Sequence, residues 1–221
     1  MTGGGPGSAP ACLAVFLSGT GRTLVNLAGA IGRGDLPAEI GLVVASRPCR
    51  GIERARALGL RSMVIEGEIE PESLERLLEE NRIDWVVLAG YLRLLPVPAR
   101  WGGRVVNIHP ALLPGFGGPG MYGDRVHRAV LKSGARESGC TVHLCDGGYD
   151  TGPIVLQRRC PVLEGDTPGT LAERVFALET EAYPEALRRL IEKNRDRPET
   201  PNAAPGRDSS GPRFEGRGQR S

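Results

Sequence analysis

The polar side chains best placed for chemistry are Asn107 and His109, which lie at the end of an apolar run and before Pro110 and Pro114. Alternate residues of a strand share one face, so both side chains would point the same way. Histidine can carry a proton near neutral pH, and an asparagine amide can donate a hydrogen bond to a developing oxyanion. The pair therefore fits acyl or one-carbon transfer. The alternative is that backbone groups at the strand end satisfy both side chains.

A candidate partner for His109 is Asp150, in the glycine-containing segment 146–153. Glycines allow this segment to fold back toward a second site. A carboxylate beside an imidazole stabilises the imidazolium and raises its pKa, which suits a general acid or an oxyanion stabiliser. An Asx-turn role for Asp150 is the alternative, because sequence spacing does not decide between the two.

The segment Gly19-Thr20-Gly21-Arg22-Thr23 lies between a predicted strand and a predicted helix. Glycine permits close backbone approach, the free amides at a helix start can hold a phosphate, and Arg22 adds a positive charge. The segment is not a full GxGxxG motif and lacks the lysine of a P-loop, so a nucleoside triphosphate is not favoured. A tight turn that needs glycine for geometry alone is the alternative.

The other polar candidates give weaker signals. His143 alternates with Val142 and Leu144, which indicates a strand residue with a satisfied ring rather than a ligand. His127 lies in a predicted helix, where we expect it at the surface or half-buried. The histidines are too dispersed in the sequence for a metal site, and Ser18 lacks the motif of a serine nucleophile.

Strands and helices alternate along most of the chain. Short apolar runs predict buried parallel strands at 13–17, 39–46, 62–65, 85–89 and 104–108, and helical spacing predicts helices at 22–27, 52–58, 71–81, 124–133 and 170–193. Segments 140–145 and 154–157 predict a hairpin in a mixed sheet. The alternation predicts an α/β fold, a Rossmann-like doubly wound and mostly parallel sheet with helices on both faces. Right-handed crossovers then bring the loops at the strand ends to one rim.

Composition indicates one globular domain. The 221 residues are 40% hydrophobic, and Lys and Arg number 28 against 26 Asp and Glu, so neither a nucleic-acid partner nor a membrane partner is expected. The sequence contains no membrane-length apolar run and no signal peptide, and its five cysteines show no paired spacing, so we expect a cytoplasmic protein with reduced thiols. Tail composition predicts disordered segments at 1–10 and 195–221 around a domain at 11–194.

Four segments together resemble the phosphoribosylglycinamide formyltransferases, the folate-dependent enzymes of purine synthesis. They are Ser18-Gly19-Thr20-Gly21, Leu88-Ala89-Gly90-Tyr91-Leu92-Arg93, Asn107-Ile108-His109-Pro110-Ala111-Leu112-Leu113-Pro114 and Asp150-Thr151-Gly152-Pro153. They follow the family's order within a match from about residue 12 to 191. The short chain, with no regulatory domain before the match and no tRNA-binding domain after it, favours the glycinamide enzymes over the formyltetrahydrofolate hydrolases and the methionyl-tRNA enzymes.

The resemblance implies direct transfer of the formyl group of 10-formyltetrahydrofolate, a co-substrate, to the amine of glycinamide ribonucleotide, without a metal. Asn107 and protonated His109 would stabilise the oxyanion, and Asp150 would keep His109 charged. A proton would pass to the departing folate nitrogen. The partners would be small-molecule substrates, and the chain would be a monomer or a homodimer.

The resemblance also implies substrate contacts. The acceptor phosphate would lie on Gly21, Arg22 and Thr23, and Glu179 would contact the ribose. The folate would contact Leu92, Arg93, Leu94, Leu95, Asp146, Gly147, Gly148 and Tyr149. An arginine that some members place after the third strand has no counterpart at residues 66–71, so no residue is assigned to that contact.

Three other functions stay open at this point. A formyltetrahydrofolate hydrolase would use water in place of the amine, and a related transferase would use another amine, such as a sugar nucleotide. A non-catalytic nucleotide- or folate-binding module would keep the fold without the reaction, although the combination of Asn107, His109 and Asp150 argues against it.

Overall fold

A computed structural model describes residues 9–195. The predicted terminal segments, 1–10 and 195–221, fall outside these residues except for residues 9, 10 and 195. The strands are β1 (Ala11–Leu17), β2 (Ala38–Ala45), β3 (Ser62–Val64), β4 (Trp85–Leu88), β5 (Val105–His109), β6 (Glu137–Leu144) and β7 (Ile154–Pro161). The helices are α1 (Arg22–Gly32), α2 (Arg50–Ala57), α3 (Pro71–Glu80), α4 (Asp124–Lys132) and α5 (Pro168–Arg195), with a 3₁₀ turn at Ala99–Trp101.

The strands form a single seven-stranded sheet in the order β3-β2-β1-β4-β5-β6-β7. The strands from β1 to β5 pair in parallel, whereas β6 pairs antiparallel with β5 and β7 antiparallel with β6. The predicted doubly wound, mostly parallel sheet is therefore confirmed. The β5–β6 register places Asn107 opposite His143 and His109 opposite Thr141.

The two faces of the sheet bury two separate apolar clusters, because successive side chains of a strand point to opposite faces. On β1, Leu13, Val15 and Leu17 belong to a cluster with buried residues of α1, α2, α4 and α5. Ala14 and Phe16 belong to the opposite cluster, which is covered by α3 and Trp101. Helices on both faces, as predicted, hold the strand ends in fixed positions.

Several elements extend further than their apolar patterns predicted. The helix α1 continues from Leu27 to Gly32 through small residues, and β7 continues from Gln157 to Pro161 through Arg158 and Arg159. Since β7 is the edge of the sheet and much of it is exposed, it needs no continuous apolar run. Within residues 9–195, no helix is both long and apolar enough to cross a membrane.

The helix α5 is fixed to the sheet by Tyr183, which is fully buried. Its hydroxyl lies 3.0 Å from the carbonyl oxygen of Leu88 and 3.0 Å from that of Val106. One buried phenol therefore joins α5 to two adjacent strands, β4 and β5.

We expect Tyr183→Phe to lower the free energy of unfolding by about 1–3 kcal/mol, because it removes the hydroxyl that these two buried carbonyls share. Urea denaturation would measure the change. Tyr122→Phe is the matched control, since the residue is 39% exposed, and it should change stability by less than about 0.5 kcal/mol. Equal effects of the two substitutions would contradict the proposed role of the Tyr183 hydroxyl.

Candidate functional site

A deep cleft opens where the strand order reverses, between β1 and β4. Parallel sheets commonly bind ligands at such a switch point, outside the carboxyl ends of the strands. The cleft has a volume of about 410 Å³ and is lined by the loop after β4, the end of β5, the start of α4, the loop before β7 and one face of α5.

Most of the predicted site residues line this one cleft. They are Arg22, Thr23, Leu92, Arg93, Leu94, Leu95, Asn107, His109, Gly147, Gly148, Tyr149, Asp150 and Glu179. Gly21 and Asp146 lie just outside it. Gly21 forms the turn before α1, and the Asp146 carboxylate accepts hydrogen bonds from the Thr151 hydroxyl at 2.7 Å and the Gly148 amide at 3.1 Å.

The centre of the cleft is the carboxylate of Asp150, whose side chain is only 10% exposed. Its Oδ2 accepts a hydrogen bond from the Gly118 amide at 2.9 Å and lies 3.4 Å from His109 Nδ1. Its Oδ1 lies 3.4 Å from His143 Nε2 and 3.4 Å from Asn107 Nδ2. The backbone of Asp150 is left-handed, with φ 57°, a conformation that costs energy for most residues but that aspartate tolerates.

His143 belongs to this cluster, which the sequence did not indicate. Its ring is satisfied, as predicted, but by site residues: Nε2 lies 3.1 Å from Asn107 Nδ2. Because the Leu144 carbonyl, 2.9 Å from His143 Nδ1, can only accept, Nδ1 carries the proton in the neutral ring and Nε2 accepts from Asn107. His143 thereby fixes the orientation of the Asn107 amide. The antiparallel register of β5 and β6 places His143 opposite Asn107, and the alternation of residues along one strand does not predict that register.

His109 is held by an acceptor on each side of its ring. Nε2 lies 2.7 Å from the Phe116 carbonyl oxygen, and Nδ1 faces Asp150 Oδ2. Since a carbonyl cannot donate, the neutral ring carries its proton on Nε2, and Nδ1 is left with a free lone pair. A second proton on Nδ1 would complete a charge-assisted hydrogen bond to Asp150.

Burial lowers the pKa of His109, and it outweighs the raising effects of Asp150 and of the Phe116 carbonyl. Desolvation penalises the charged ring because the side chain is only 4% exposed, so it opposes the protonated form of His109 that the resemblance implies, whereas Asp150 favours that form. Burial alone would raise the pKa of Asp150, but the neighbouring His143 and His109 rings and the Gly118 amide together lower it. Each of the two side chains therefore favours the charged form of the other.

The loop after His109 is anchored by buried polar contacts. The Thr141 hydroxyl donates to the Ala111 carbonyl at 2.7 Å and accepts from the Leu113 amide at 3.1 Å. The loop then passes so close to Asp150 that a Cβ on Gly117 would lie 3.0 Å from the Asp150 Cβ and 2.4 Å from Leu113 Cδ2. Glycine at position 117 therefore permits the contacts that hold His109 and Asp150.

A second electrostatic centre lies at the start of α1. Gly21 has φ 73°, and a Cβ there would lie 2.7 Å from the Gly51 Cα, so the turn requires glycine. The first amides of α1 follow directly, with Arg22 beside them. Glu179 from α5 is buried in the cleft, and desolvation raises its pKa to about 7 despite the nearby charge of Arg22. A carboxyl group with this pKa can donate or accept a hydrogen bond near neutral pH.

His127 is buried rather than at the surface or half-buried as predicted, with a relative exposure of 4%. The helix α4 buries Val126 and Val130 against the core, and His127, next to this stripe, faces the cleft. Burial lowers the pKa of His127, and its Nδ1 has no hydrogen-bond partner among residues 9–195.

The opposite end of the cleft is apolar and open. Leu92, Leu94 and Tyr149 are between 39% and 48% exposed there, although they are large hydrophobic residues. Such a patch beside a cleft is typical of a surface that a flat ligand covers. Within residues 9–195, His, Cys, Asp and Glu form no group of three or more that could hold a metal ion.

Comparison with known proteins gives consistent matches. The sequence profile of the formyl transferase family matches residues 12–187. A chloroplastic phosphoribosylglycinamide formyltransferase of Arabidopsis thaliana is 40% identical over 191 residues, which cover 82% of this chain and 65% of the plant protein. A phosphoribosylglycinamide formyltransferase of Mycobacterium tuberculosis is 39% identical over 182 residues, which cover 79% of this chain and 82% of that protein.

Solved structures agree in fold. The crystal structure of glycinamide ribonucleotide transformylase 1 from Symbiobacterium toebii superposes with a TM-score of 0.77 at 35% identity, covering 85% of this chain and 90% of the other. The chain spans less than two thirds of the length of the plant relatives, 65% for Arabidopsis thaliana and 61% for Vigna unguiculata.

We expect Asp150→Asn to lower the pKa of His109 further, because the substitution removes the carboxylate charge that opposes the effect of burial. Titration of the imidazole signals by NMR would measure the shift. Asp146→Asn, in the same loop but bonded to Thr151 and Gly148, is the matched control and should leave the His109 pKa in place. A His109 pKa that does not move in Asp150→Asn would show that the two side chains are not electrostatically coupled.

Proposed function

Because the chain belongs to the formyl transferase family, we propose that it transfers the formyl group of 10-formyltetrahydrofolate to the amine of glycinamide ribonucleotide, a step of purine synthesis. The observation that carries this proposal is the cluster of Asn107, His109 and Asp150 in the middle of a cleft whose two ends differ in polarity. One end has a helix N-terminus and an arginine, and the other is apolar. An acceptor with a phosphate and a co-substrate with a flat ring system fit these ends.

The phosphate of the acceptor would lie on the amides of Gly21, Arg22 and Thr23, where the helix dipole and the arginine favour a dianion. Glu179 would contact the ribose, since a carboxyl group with a pKa of about 7 can exchange hydrogen bonds with hydroxyls in either direction. These contacts would aim the acceptor's amine at the centre of the cleft.

The folate would lie along the segment after β4 and against the loop before β7. In the proposed arrangement Leu92, Leu94 and Tyr149 cover the rings of the folate, and Arg93 forms an ion pair with its anionic tail. Leu95, Asp146, Gly147 and Gly148 complete the surface, Asp146 by holding the loop through Thr151. Burial of ligand surface against exposed leucines would supply much of the affinity.

In the proposed reaction the amine nitrogen attacks the formyl carbon, and negative charge develops on the formyl oxygen. The Asn107 amide is the donor for this oxygen, through the hydrogen that faces Asp150 across a long 3.4 Å contact. Collapse of the intermediate breaks the bond between the formyl carbon and the folate nitrogen. No covalent bond to the protein is needed.

His109 supplies the proton transfer. In its neutral form Nδ1 can take the proton that the amine loses, and the resulting imidazolium would lie between Asp150 and the Phe116 carbonyl, which both stabilise it. The ring then returns the proton to the departing folate nitrogen. Asp150 thus stabilises the charge that forms on His109 during the reaction.

Other properties of the chain stay predictions: a cytoplasmic location, a monomeric or homodimeric state, and small-molecule partners without nucleic acid or membrane. Sedimentation of the purified chain would decide the oligomeric state.

We expect Asn107→Ala and His109→Asn each to lower kcat on the order of a hundredfold or more, since each removes a group that acts in the transition state. Absorbance would follow the release of tetrahydrofolate in the presence of glycinamide ribonucleotide. Glu164→Gln, an exposed change away from the cleft, is the control. Folded variants with parental kcat would exclude these roles.

The same assay separates the alternative functions. Turnover that requires glycinamide ribonucleotide supports the proposal. Formate produced equally well without an acceptor would identify a hydrolase, and turnover only with a different amine would identify another transferase. Folate binding without turnover, for every amine tested, would identify a binding module.

A further inference from the structure

The arginine of the proposed phosphate site is already occupied by another anion, the carboxylate of Glu173. Arg22 Nη1 and Nη2 donate to Glu173 Oε1 and Oε2, each at 2.6 Å. The guanidinium carbon lies 3.8 Å from the centre of the Phe176 ring, so the group is stacked on one face and paired along one edge. Glu173 and Phe176 are not among the proposed substrate contacts.

The pair connects two helices across the end of the cleft. Arg22 is the first residue of α1, and Glu173 and Phe176 belong to α5. Arg22 and Phe176 line the cleft together with Ala172 and Glu179 of the same helix face. The guanidinium is therefore within the binding region, and it is not only a surface group.

The ion pair is too exposed to be a strong structural tie. The side chains of Arg22 and Glu173 are 41% and 66% exposed, and pairs of this kind contribute little to stability because water competes for both charges. A doubly charged phosphate that also accepts hydrogen bonds from the first amides of α1 is a stronger partner for the same guanidinium. The Glu173 carboxylate is thus a weakly bound anion at the place where the phosphate, a more strongly bound anion, is proposed to bind.

We infer that Glu173 is a positioning residue that occupies Arg22 until phosphate replaces it. Glu173 and Phe176 keep the guanidinium extended along the cleft and neutralise its charge in the unliganded protein. The phosphate dianion of the acceptor displaces the Glu173 carboxylate and takes over the guanidinium. This device makes the site selective for a phosphate monoester over singly charged anions, which compete poorly with the bidentate carboxylate. The inference rests on the proposed function only in naming the acceptor as the source of the phosphate.

Titration with inorganic phosphate, followed by phosphorus NMR, tests the inference without any turnover. We expect Glu173→Gln to tighten phosphate binding about three- to tenfold, because it removes the competing negative charge. Arg22→Gln should weaken binding at least about tenfold, because it removes the charged donor. The matched controls are Glu181→Gln, an exposed glutamate on the same helix, and Arg33→Gln at the far end of α1, and both should bind phosphate like the parent.

A kinetic measurement separates positioning from a structural role. In Glu173→Gln the KM for glycinamide ribonucleotide should fall, whereas kcat and the KM for 10-formyltetrahydrofolate should not change. If Glu173→Gln instead weakens phosphate binding as Arg22→Gln does, Glu173 only supports the arginine and the inference is overturned. It is also overturned if neither variant changes phosphate binding. If the phosphate affinities follow the expected order but no formyl group is transferred, the proposed function fails and the inference stands.

Discussion

The buried carboxylate of Asp150 is the constraint on which the site depends. A carboxylate that is removed from water must find hydrogen-bond donors or positive charge, and here its polar neighbours come from three parts of the chain. Asn107 comes from β5, His143 from β6, His109 from the end of β5 and the Gly118 amide from the loop that follows. Satisfying one group therefore fixes the relative positions of two strands and two loops, and it does so with the backbone of Asp150 in a left-handed conformation.

The same burial sets the protonation of the neighbouring groups. Desolvation lowers the pKa of His109 and raises the pKa of Glu179 to about 7, so burial disfavours the charged form of both side chains in the unliganded cleft. A neutral imidazole that faces a carboxylate is ready to receive a proton, because the product ion is stabilised as soon as it forms. Environment, rather than residue type, thus decides whether the histidine begins as a base or as an acid.

Packing on both faces of the sheet places the polar side chains of the site in one cleft. The helix α5 is fixed to β4 and β5 through Tyr183, and it contributes Phe176 and Glu179 to the lining of the cleft. It also brings Glu173 to Arg22. Because the net charge of the chain is only +2, attraction of an anionic substrate has to arise locally, from Arg22 and the start of α1, and not from the field of the whole protein.

Much of this protein could be predicted from the sequence by itself. Periodicity predicted the strands and helices and the doubly wound sheet, and the motifs indicated Asn107, His109 and Asp150, because local spacing controls which residues share a face and where a strand ends. His143, the burial of His127, the pairing of Arg22 with Glu173 and the lowered pKa of His109 could not be predicted in this way. Each depends on segments far apart in the chain: the register between β5 and β6, the docking of α4 and α5, and the exclusion of water from the buried part of the cleft. Register, packing and desolvation arise only when the chain is folded, so the tertiary structure decided them.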